Sequence, residues 1–151
     1  VLVSCTGTHD NVVISKNFSN HEWGRFEYLK GSLGIKKAPQ EYDIIMEIVV
    51  DDIYPNPYEA HQTECFLPFN LTIKNPDDNG KRSKDYRFML KDKDGNWKAE
   101  EKNGLYTFKL PVIEEMTFSE KGTYNFVIEN KYSKDPLYGI KSMTLKCIKS
   151  K

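Results

Sequence analysis

Residues 41–51 read Glu-Tyr-Asp-Ile-Ile-Met-Glu-Ile-Val-Val-Asp, and the fold class follows from their pattern. Every second residue from Tyr42 to Val50 is apolar, and acidic residues occupy four of the six alternate positions from Glu41 to Asp51. This period of two predicts a β-strand, because successive side chains of a strand point to opposite faces of the sheet. One face of the strand should therefore lie in a core and the other toward solvent.

Shorter runs of the same kind follow along the chain, and glycine, proline and asparagine separate them. Asn103-Gly104, for example, is a typical hairpin turn. Many short strands without an amphipathic helix predict an all-β, antiparallel two-layer β-sandwich of jelly-roll or immunoglobulin-like type. We expect one such domain over residues 12–151, with roughly eight strands at 12–15, 23–29, 41–51, 63–74, 86–90, 106–110, 123–129 and 142–148.

Two local signals refine this prediction. Pro68 cannot donate a backbone hydrogen bond, so the strand around it should lie at a sheet edge or carry a bulge. Residues 30–40 contain two glycines and a proline, which predict a loop.

The composition excludes some classes of partner. The chain has 151 residues, and its 22 basic and 22 acidic side chains cancel, so no net positive charge is present to attract nucleic acid. No apolar run approaches the roughly 18 residues of a membrane-spanning helix. Any attachment to a membrane should therefore be covalent.

The first five residues, Val-Leu-Val-Ser-Cys, resemble the lipobox of bacterial lipoproteins. In that motif a signal peptidase cleaves before the cysteine, whose thiol then carries a diacylglycerol. This predicts that residues 1–4 are the remnant of a signal peptide, that Cys5 is lipidated and that residues 5–11 form a tether. The expected location is the bacterial cell envelope, facing the periplasm or at the cell surface. The other interpretation is a short apolar tail with an ordinary cysteine.

The chain has three cysteines. Cys65 and Cys147 both fall in strand-like runs, in phase with apolar neighbours, and should point inward. A disulfide between these two residues and two separate buried thiols both fit this pattern.

A search for chemistry gives no catalytic or metal-binding motif. None of the three histidines, His9, His21 and His61, belongs to a Ser/His or Cys/His motif or has metal-ligand spacing. Residues 92–96 superficially resemble a calcium loop, but Gly95 comes too early, so a hairpin is the better interpretation. We therefore expect no enzyme, no metal site and no cofactor.

The most distinctive surface feature is Tyr54-Pro-Asn-Pro-Tyr58. Prolines restrict such a loop, so Tyr54 and Tyr58 could stack on a sugar or an apolar peptide side chain at a small entropic cost. Trp97 is a third candidate for the same role. In the alternative, both tyrosine rings fold back and cover one end of the sandwich.

Four motifs follow one another along the chain after the strand at residues 42–50. They are Ile53-Tyr54-Pro55, Leu90-x-Asp92-x-Asp94-Gly95-x-Trp97, Gly122-x-Tyr124-x-Phe126-x-Ile128-Glu129 and Asp135-x-Leu137-x-Gly139-Ile140. Their order resembles the GldH-type gliding-motility lipoproteins of the Bacteroidetes, over residues 40–148.

This resemblance implies a lipid-anchored, non-catalytic envelope protein that binds other envelope proteins in a membrane-associated assembly of gliding or secretion type. It brings no catalytic residues. The alternative is a carbohydrate-binding surface lipoprotein of a glycan-uptake system.

Overall fold

A computed structural model describes residues 10–58 and 65–150 of the protein. These residues form eleven strands, of which three have only two residues each, and two short 3-10 helices, Ser19–His21 and Pro76–Asp78. The predicted all-β fold is confirmed. The strands are β1 (Asp10–Asn17), β2 (Glu22–Trp23), β3 (Leu29–Ile35), β4 (Gln40–Asp51), β5 (Phe66–Lys74), β6 (Lys81–Met89), β7 (Glu101–Lys102), β8 (Leu105–Phe118), β9 (Gly122–Asn130), β10 (Leu137–Tyr138) and β11 (Ile140–Lys149).

The strands form two main sheets in which all neighbours are antiparallel. The first sheet has five strands in the order β1-β11-β4-β8-β7, and the second has four in the order β3-β9-β5-β6. β2 and β10 make a separate two-stranded ribbon. The apolar faces of the two sheets enclose one hydrophobic core, which gives the expected sandwich.

β4 occupies the centre of the five-stranded sheet, as its alternating pattern requires. Its even-numbered residues from Tyr42 to Val50 are buried, while the odd-numbered residues between them are half-buried. β4 begins at Gln40 beside Phe118 of β8 and ends at Asp51 beside Leu105. At about 3.3 Å per residue, its twelve residues span about 40 Å, the length of the sandwich.

The two ends of the sandwich carry different parts of the chain. Asp10, the first described residue, pairs with Ile148, near the start of β4. The opposite end, which we call the Asp51 end, carries the turn after β4 and the β2–β10 ribbon. β1 therefore begins at the end of the sandwich opposite the Tyr54–Tyr58 loop.

One side of the sandwich is closed by direct contact between β1 and β3. A Cβ atom on Gly31 of β3 would overlap the carbonyl oxygen of Val13 in β1. The prediction of a loop at residues 30–40 is therefore correct only for residues 36–39, which connect β3 to β4. It is wrong for residues 30–35, because Gly31 allows two backbones to approach closely within a strand. The predicted strand at 23–29 is also wrong in extent, because a turn closed by the bond from Glu27 N to Gly24 O separates β2 from β3.

Pro68 lies in β5, which is an interior strand and not an edge. The pairing of β5 with β9 begins only at Phe69, and the carbonyl of Pro68 accepts a hydrogen bond from Lys131 N. The N and C=O of one residue point to the same side of a strand, so the nitrogen of Pro68 faces the β9 side, just beyond the last residue pair between β5 and β9. The proline therefore leaves the ladder intact.

Candidate functional site

Three segments of the chain interlock at the Asp51 end. Gly139 N donates to the carbonyl oxygen of His21 at 2.8 Å, and the carbonyl oxygen of Gly139 accepts from Asp51 N at 2.8 Å. Tyr138 N donates to Pro55 O at 3.0 Å. The Tyr54–Tyr58 loop is therefore held in place by β10, the strand that follows Asp135-Pro136.

Gly139 allows this close approach. Its φ is +80°, and a Cβ atom at this position would lie 2.5 Å from Tyr54 N and 2.7 Å from a carboxylate oxygen of Asp51. Glycine is the residue that tolerates both the left-handed backbone and the proximity of Tyr54. The Tyr-Pro motif and the Leu-x-Gly-Ile motif, far apart in sequence, thus meet at one point.

The side chains of Asp51 and His21 form a hydrogen bond beneath the loop. His21 Nδ1 lies 2.8 Å from Asp51 Oδ2, while Asp51 Oδ1 accepts a hydrogen bond from Ile53 N at 3.1 Å. Both carboxylate oxygens are engaged in holding the turn. The pair therefore has a structural role, and the spacing of the two residues in the sequence gave no signal of it.

Tyr54 belongs to the core. Its side chain is 3% exposed, and its hydroxyl donates to the carbonyl oxygen of Phe66 at 2.8 Å. Burial raises the pKa of Tyr54 well above its ordinary value of 10.0. The predicted binding role of Tyr54 is corrected accordingly: the alternative, a ring that covers the end of the sandwich, describes this residue.

Tyr58 has the opposite environment, with 79% of its surface exposed. Its N–H donates to Asn56 Oδ1 at 2.8 Å, and its ring meets the ring of Tyr138 edge-on at 5.5 Å. These contacts orient the ring without covering it. Tyr58 therefore remains a candidate binding residue.

A second exposed ring, Phe26, lies in the turn between β2 and β3 and is 75% exposed. The turn is tied to the same end of the domain, because Arg25 N donates to Asp135 Oδ1 at 2.9 Å and Arg25 Nη2 donates to Ser133 O at 2.7 Å. Sequence reasoning missed Phe26, which it assigned to a strand; Gly24 was the signal that the strand ends. We call the exposed apolar side chains of this end the aromatic surface: Phe26, Tyr28, Ile53 and Tyr58.

Trp97 is not part of the aromatic surface. Its ring stacks on Tyr106 at 4.3 Å between centroids, and Lys91 Nζ lies 4.5 Å from the ring centre. Together with Tyr106, the ring packs against the edge of the core. The three candidates Tyr54, Tyr58 and Trp97 therefore do not form a joint stacking platform.

The Asp92 turn is a hairpin, as expected. Asp92 Oδ1 accepts hydrogen bonds from Asp94 N at 2.9 Å and from Asn96 N at 3.0 Å, and the bond from Asn96 lowers the pKa of Asp92. Lys91 and Trp97 pair across the turn. Within residues 10–58 and 65–150, no three His, Cys, Asp or Glu side chains are grouped to hold a metal ion.

Both described cysteines, Cys65 and Cys147, are buried free thiols, so the predicted disulfide between them is not formed. Burial raises the pKa of the Cys65 thiol to about 11 and that of Cys147 to about 12. The alternative of two separate buried thiols describes them. Predictions for Cys5, for most of the tether at 5–11 and for His9 and His61 fall outside the described residues.

Comparison with known families confirms the family resemblance that the order of motifs indicated. The family model described as GldH lipoprotein matches residues 13–147, which begin in β1 and end in β11. A comparison with curated proteins gives no match. The helices among the described residues have three residues each, too few to cross a membrane. Since the match covers most of the chain, this protein belongs to the GldH lipoprotein family.

Proposed function

We propose that this protein is a lipid-anchored, non-catalytic component of the bacterial cell envelope that binds partner proteins in a membrane-associated assembly. The observation that carries this proposal is the aromatic surface at the Asp51 end, where hydrogen bonds join turns from distant parts of the chain. Aromatic side chains are enriched in protein interfaces, since they bury a large area with few rotatable bonds. Membership of a lipoprotein family supports the membrane location, and the resemblance to gliding-motility lipoproteins supports an assembly of gliding or secretion type.

Anchoring through Cys5 would determine how the aromatic surface is oriented relative to the membrane. The described chain enters at Asp10, and the Asp51 end lies about 40 Å away along the strands. A lipid on Cys5 would therefore present Phe26 and Tyr58 away from the bilayer. Such a surface is suited to a partner that extends from the membrane or spans the envelope.

The environment of the rings favours a protein partner over a glycan. Sugar binding by stacking needs exposed rings on a common platform, but Tyr54 is buried and Trp97 is packed against Tyr106. Two open grooves on the five-stranded sheet, of 950 and 410 Å³, have no aromatic side chain among their described lining residues. Ile53, exposed in the turn after β4, adds apolar area that a protein interface can bury.

The polar groups of the domain favour a non-catalytic role. His21 and Asp51 are the pair that most resembles a catalytic site, but both carboxylate oxygens of Asp51 already have hydrogen-bond partners within the turn, His21 Nδ1 and Ile53 N. Among the described residues, every buried side-chain nitrogen and oxygen has a hydrogen-bond partner. A catalytic site would instead aim polar groups at a reacting molecule.

Photo-crosslinking in the native envelope tests the partner surface. A benzophenone amino acid is placed at position 26 or 58 of the full-length protein, and the adducts are identified by mass spectrometry. The matched control is Val12, an exposed apolar residue that is 55% exposed near the opposite end. We expect reproducible protein adducts at positions 26 and 58 that are absent at position 12. Absence of adducts at both positions in lipidated, folded protein would contradict the proposal, as would a glycan retained through Tyr58.

Lipidation has its own test. Metabolic labelling with an alkyne fatty acid should label the protein and should fail for Cys5→Ser, while Cys65→Ser and Cys147→Ser remain labelled. Label that persists in Cys5→Ser would exclude Cys5 as the anchor.

A further inference from the structure

The edges of the two sheets differ in whether they can accept another strand. β1 carries a bulge between Val12 and Ile14, and β3 is packed against β1 through Gly31. At the other side of the five-stranded sheet, the two-residue strand β7 pairs only with Leu105 and Tyr106 of β8. The rest of β8 is interrupted by Pro111, which lacks an N–H, and by register shifts opposite Ile44. Bulges, prolines and packing of this kind block edge pairing. These features protect three of the sheet edges.

The remaining long edge, β6, carries none of these features. Its nine residues pair with β5 in continuous register and contain no proline. Within residues 10–58 and 65–150, β5 is its only strand neighbour. β6 is therefore an uninterrupted edge of the four-stranded sheet.

The register shows which backbone groups of β6 point outward. Leu90 N donates to Cys65 O at 2.9 Å, and Asn75 N donates to Gly80 O at 2.9 Å, so the ladder to β5 uses the even-numbered residues. In an antiparallel pair the alternate residues direct N–H and C=O away from the partner. In the exposed stretch 81–85, the odd-numbered residues Lys81, Ser83 and Asp85 form the open edge.

The charge of β6 selects among strands that could pair there. The strand carries four basic residues and one acidic residue, a net charge of +3. Five residues in succession, 81–85, are exposed, so these charges face solvent. A second copy of β6 would bring like charges together, which opposes pairing, whereas an acidic strand would be attracted.

We propose that β6 accepts an extended, acidic segment of a partner protein as a fifth strand of the four-stranded sheet. Backbone hydrogen bonds from Lys81, Ser83 and Asp85 provide binding, and the side chains of Lys81, Arg82 and Lys84 select for glutamate or aspartate. This inference rests on the proposed function, because it names a kind of segment that a partner would contribute. It uses a surface separate from Phe26 and Tyr58.

Amide hydrogen exchange on the purified domain tests the inference. The probe is a capped peptide of alternating glutamate and valine, as long as β6, at about 1 mM, a concentration that detects even weak binding. We expect slower exchange at Lys81, Ser83 and Asp85, and no change at the even-numbered residues already bonded to β5. A peptide with lysine in place of glutamate should give no protection. Unchanged exchange at the odd-numbered amides, or equal protection by the lysine peptide, overturns the proposal.

Paired variants at Ser83 isolate the backbone contribution. Ser83→Pro removes an outward N–H, whereas Ser83→Ala keeps it and loses the same hydroxyl contacts to Asn70 and Thr72. We expect at least about tenfold weaker binding for proline than for alanine, the loss of about one hydrogen bond; equal affinity contradicts strand addition. If the proline variant fails to fold, Arg82→Glu/Lys84→Glu provides the test, since it should abolish protection by the glutamate peptide. Because this assay needs neither lipid nor native partner, its failure is distinguishable from a failed crosslinking experiment at positions 26 and 58.

Discussion

Gly139 and Tyr54 approach each other so closely that a Cβ atom at position 139 would lie 2.5 Å from the Tyr54 nitrogen. The contact joins the strand pair that carries Tyr138 to the turn that follows β4. The orientation of the Tyr54–Tyr58 loop, and with it the exposed ring of Tyr58, therefore depends on a glycine far away in the sequence.

Gly139→Ala should destabilise the domain more than Gly95→Ala. Both glycines have a similar positive φ, +80° and +82°, but no atom lies within 4 Å of a Cβ built on Gly95. The left-handed backbone alone costs about 1–2 kcal/mol for alanine, and position 139 adds the overlap with Tyr54. Urea unfolding of both variants measures the difference in the free energy of unfolding. Equal losses would show that the close approach has no energetic weight.

Tyr54→Phe should lower the free energy of unfolding more than Tyr58→Phe. Removal of the Tyr54 hydroxyl leaves the buried carbonyl of Phe66 without its donor, at a cost of about 1–3 kcal/mol. Tyr58 is exposed, so its variant should stay within about 0.5 kcal/mol of the native protein. Thermal and urea unfolding give both values. A larger loss at Tyr58 than at Tyr54 would reverse the assignment of the two rings.

Gly31→Ala should disrupt the closed side of the sandwich, whereas Gly34→Ala in the same strand should not. A Cβ at position 31 overlaps Val13, while nothing lies within 4 Å of one at position 34. Alanine in a strand interior is favoured over glycine by roughly 0.5–1 kcal/mol where space allows. We therefore expect Gly31→Ala to lower, and Gly34→Ala to maintain or raise, the midpoint of urea unfolding. A stable Gly31→Ala protein with native amide protection in β1 would contradict the contact.

The two buried thiols should make stability fall at alkaline pH. Burial raises the pKa values of Cys65 and Cys147 from 9.0 to about 11 and about 12, so the folded state retains protons that the unfolded state loses. Their contribution is complete below pH 9 and is lost as pH rises toward these values. Cys65→Ala/Cys147→Ala should lose less stability over this window than the native protein, compared by urea unfolding at each pH. Burial also raises the pKa of Tyr54 above 10.0, so this residue contributes a loss above pH 10 that both proteins share.

The same thiols should react with a thiol reagent only after unfolding. A reductant should leave the unfolding midpoint unchanged, because no disulfide joins Cys65 to Cys147. A reductant-sensitive midpoint would contradict two free thiols.

Sequence periodicity predicted what depends on local pattern. The alternation from Tyr42 to Val50 located β4 to within one residue of its start, because one face of that strand is in the core. Turn residues likewise located the hairpins at Asp92 and Asn103. Contacts between distant strands were not predictable in this way. Gly31 looked like a loop residue, although its missing side chain serves the packing of β1 on β3.

The candidate site was predicted only in part. Tyr54 and Tyr58 are the same residue type in one loop, and nothing in their spacing distinguishes the buried ring from the exposed one. The difference arises from Phe66 O, which accepts from the Tyr54 hydroxyl, and from Tyr138, which supports Tyr58. Both partners come from other elements. Such pairings depend on the topology, which a local pattern does not encode.

The entry of the chain at Asp10 has a mechanical consequence. If the protein is held at its N-terminal side and pulled at Tyr58, force acts on β1 and β4 at opposite ends of the sheet. The hydrogen bonds that link β1 to β11 are then loaded together in shear. Pulling between Asn11 and Ser150 instead opens the same pairing one bond at a time, since β1 begins beside the end of β11. Force spectroscopy should therefore find a higher unfolding force for handles at Asn11 and Tyr58 than at Asn11 and Ser150, and equal forces would contradict this geometry. A domain built in this way resists tension applied between the start of β1 and the Tyr54–Tyr58 loop.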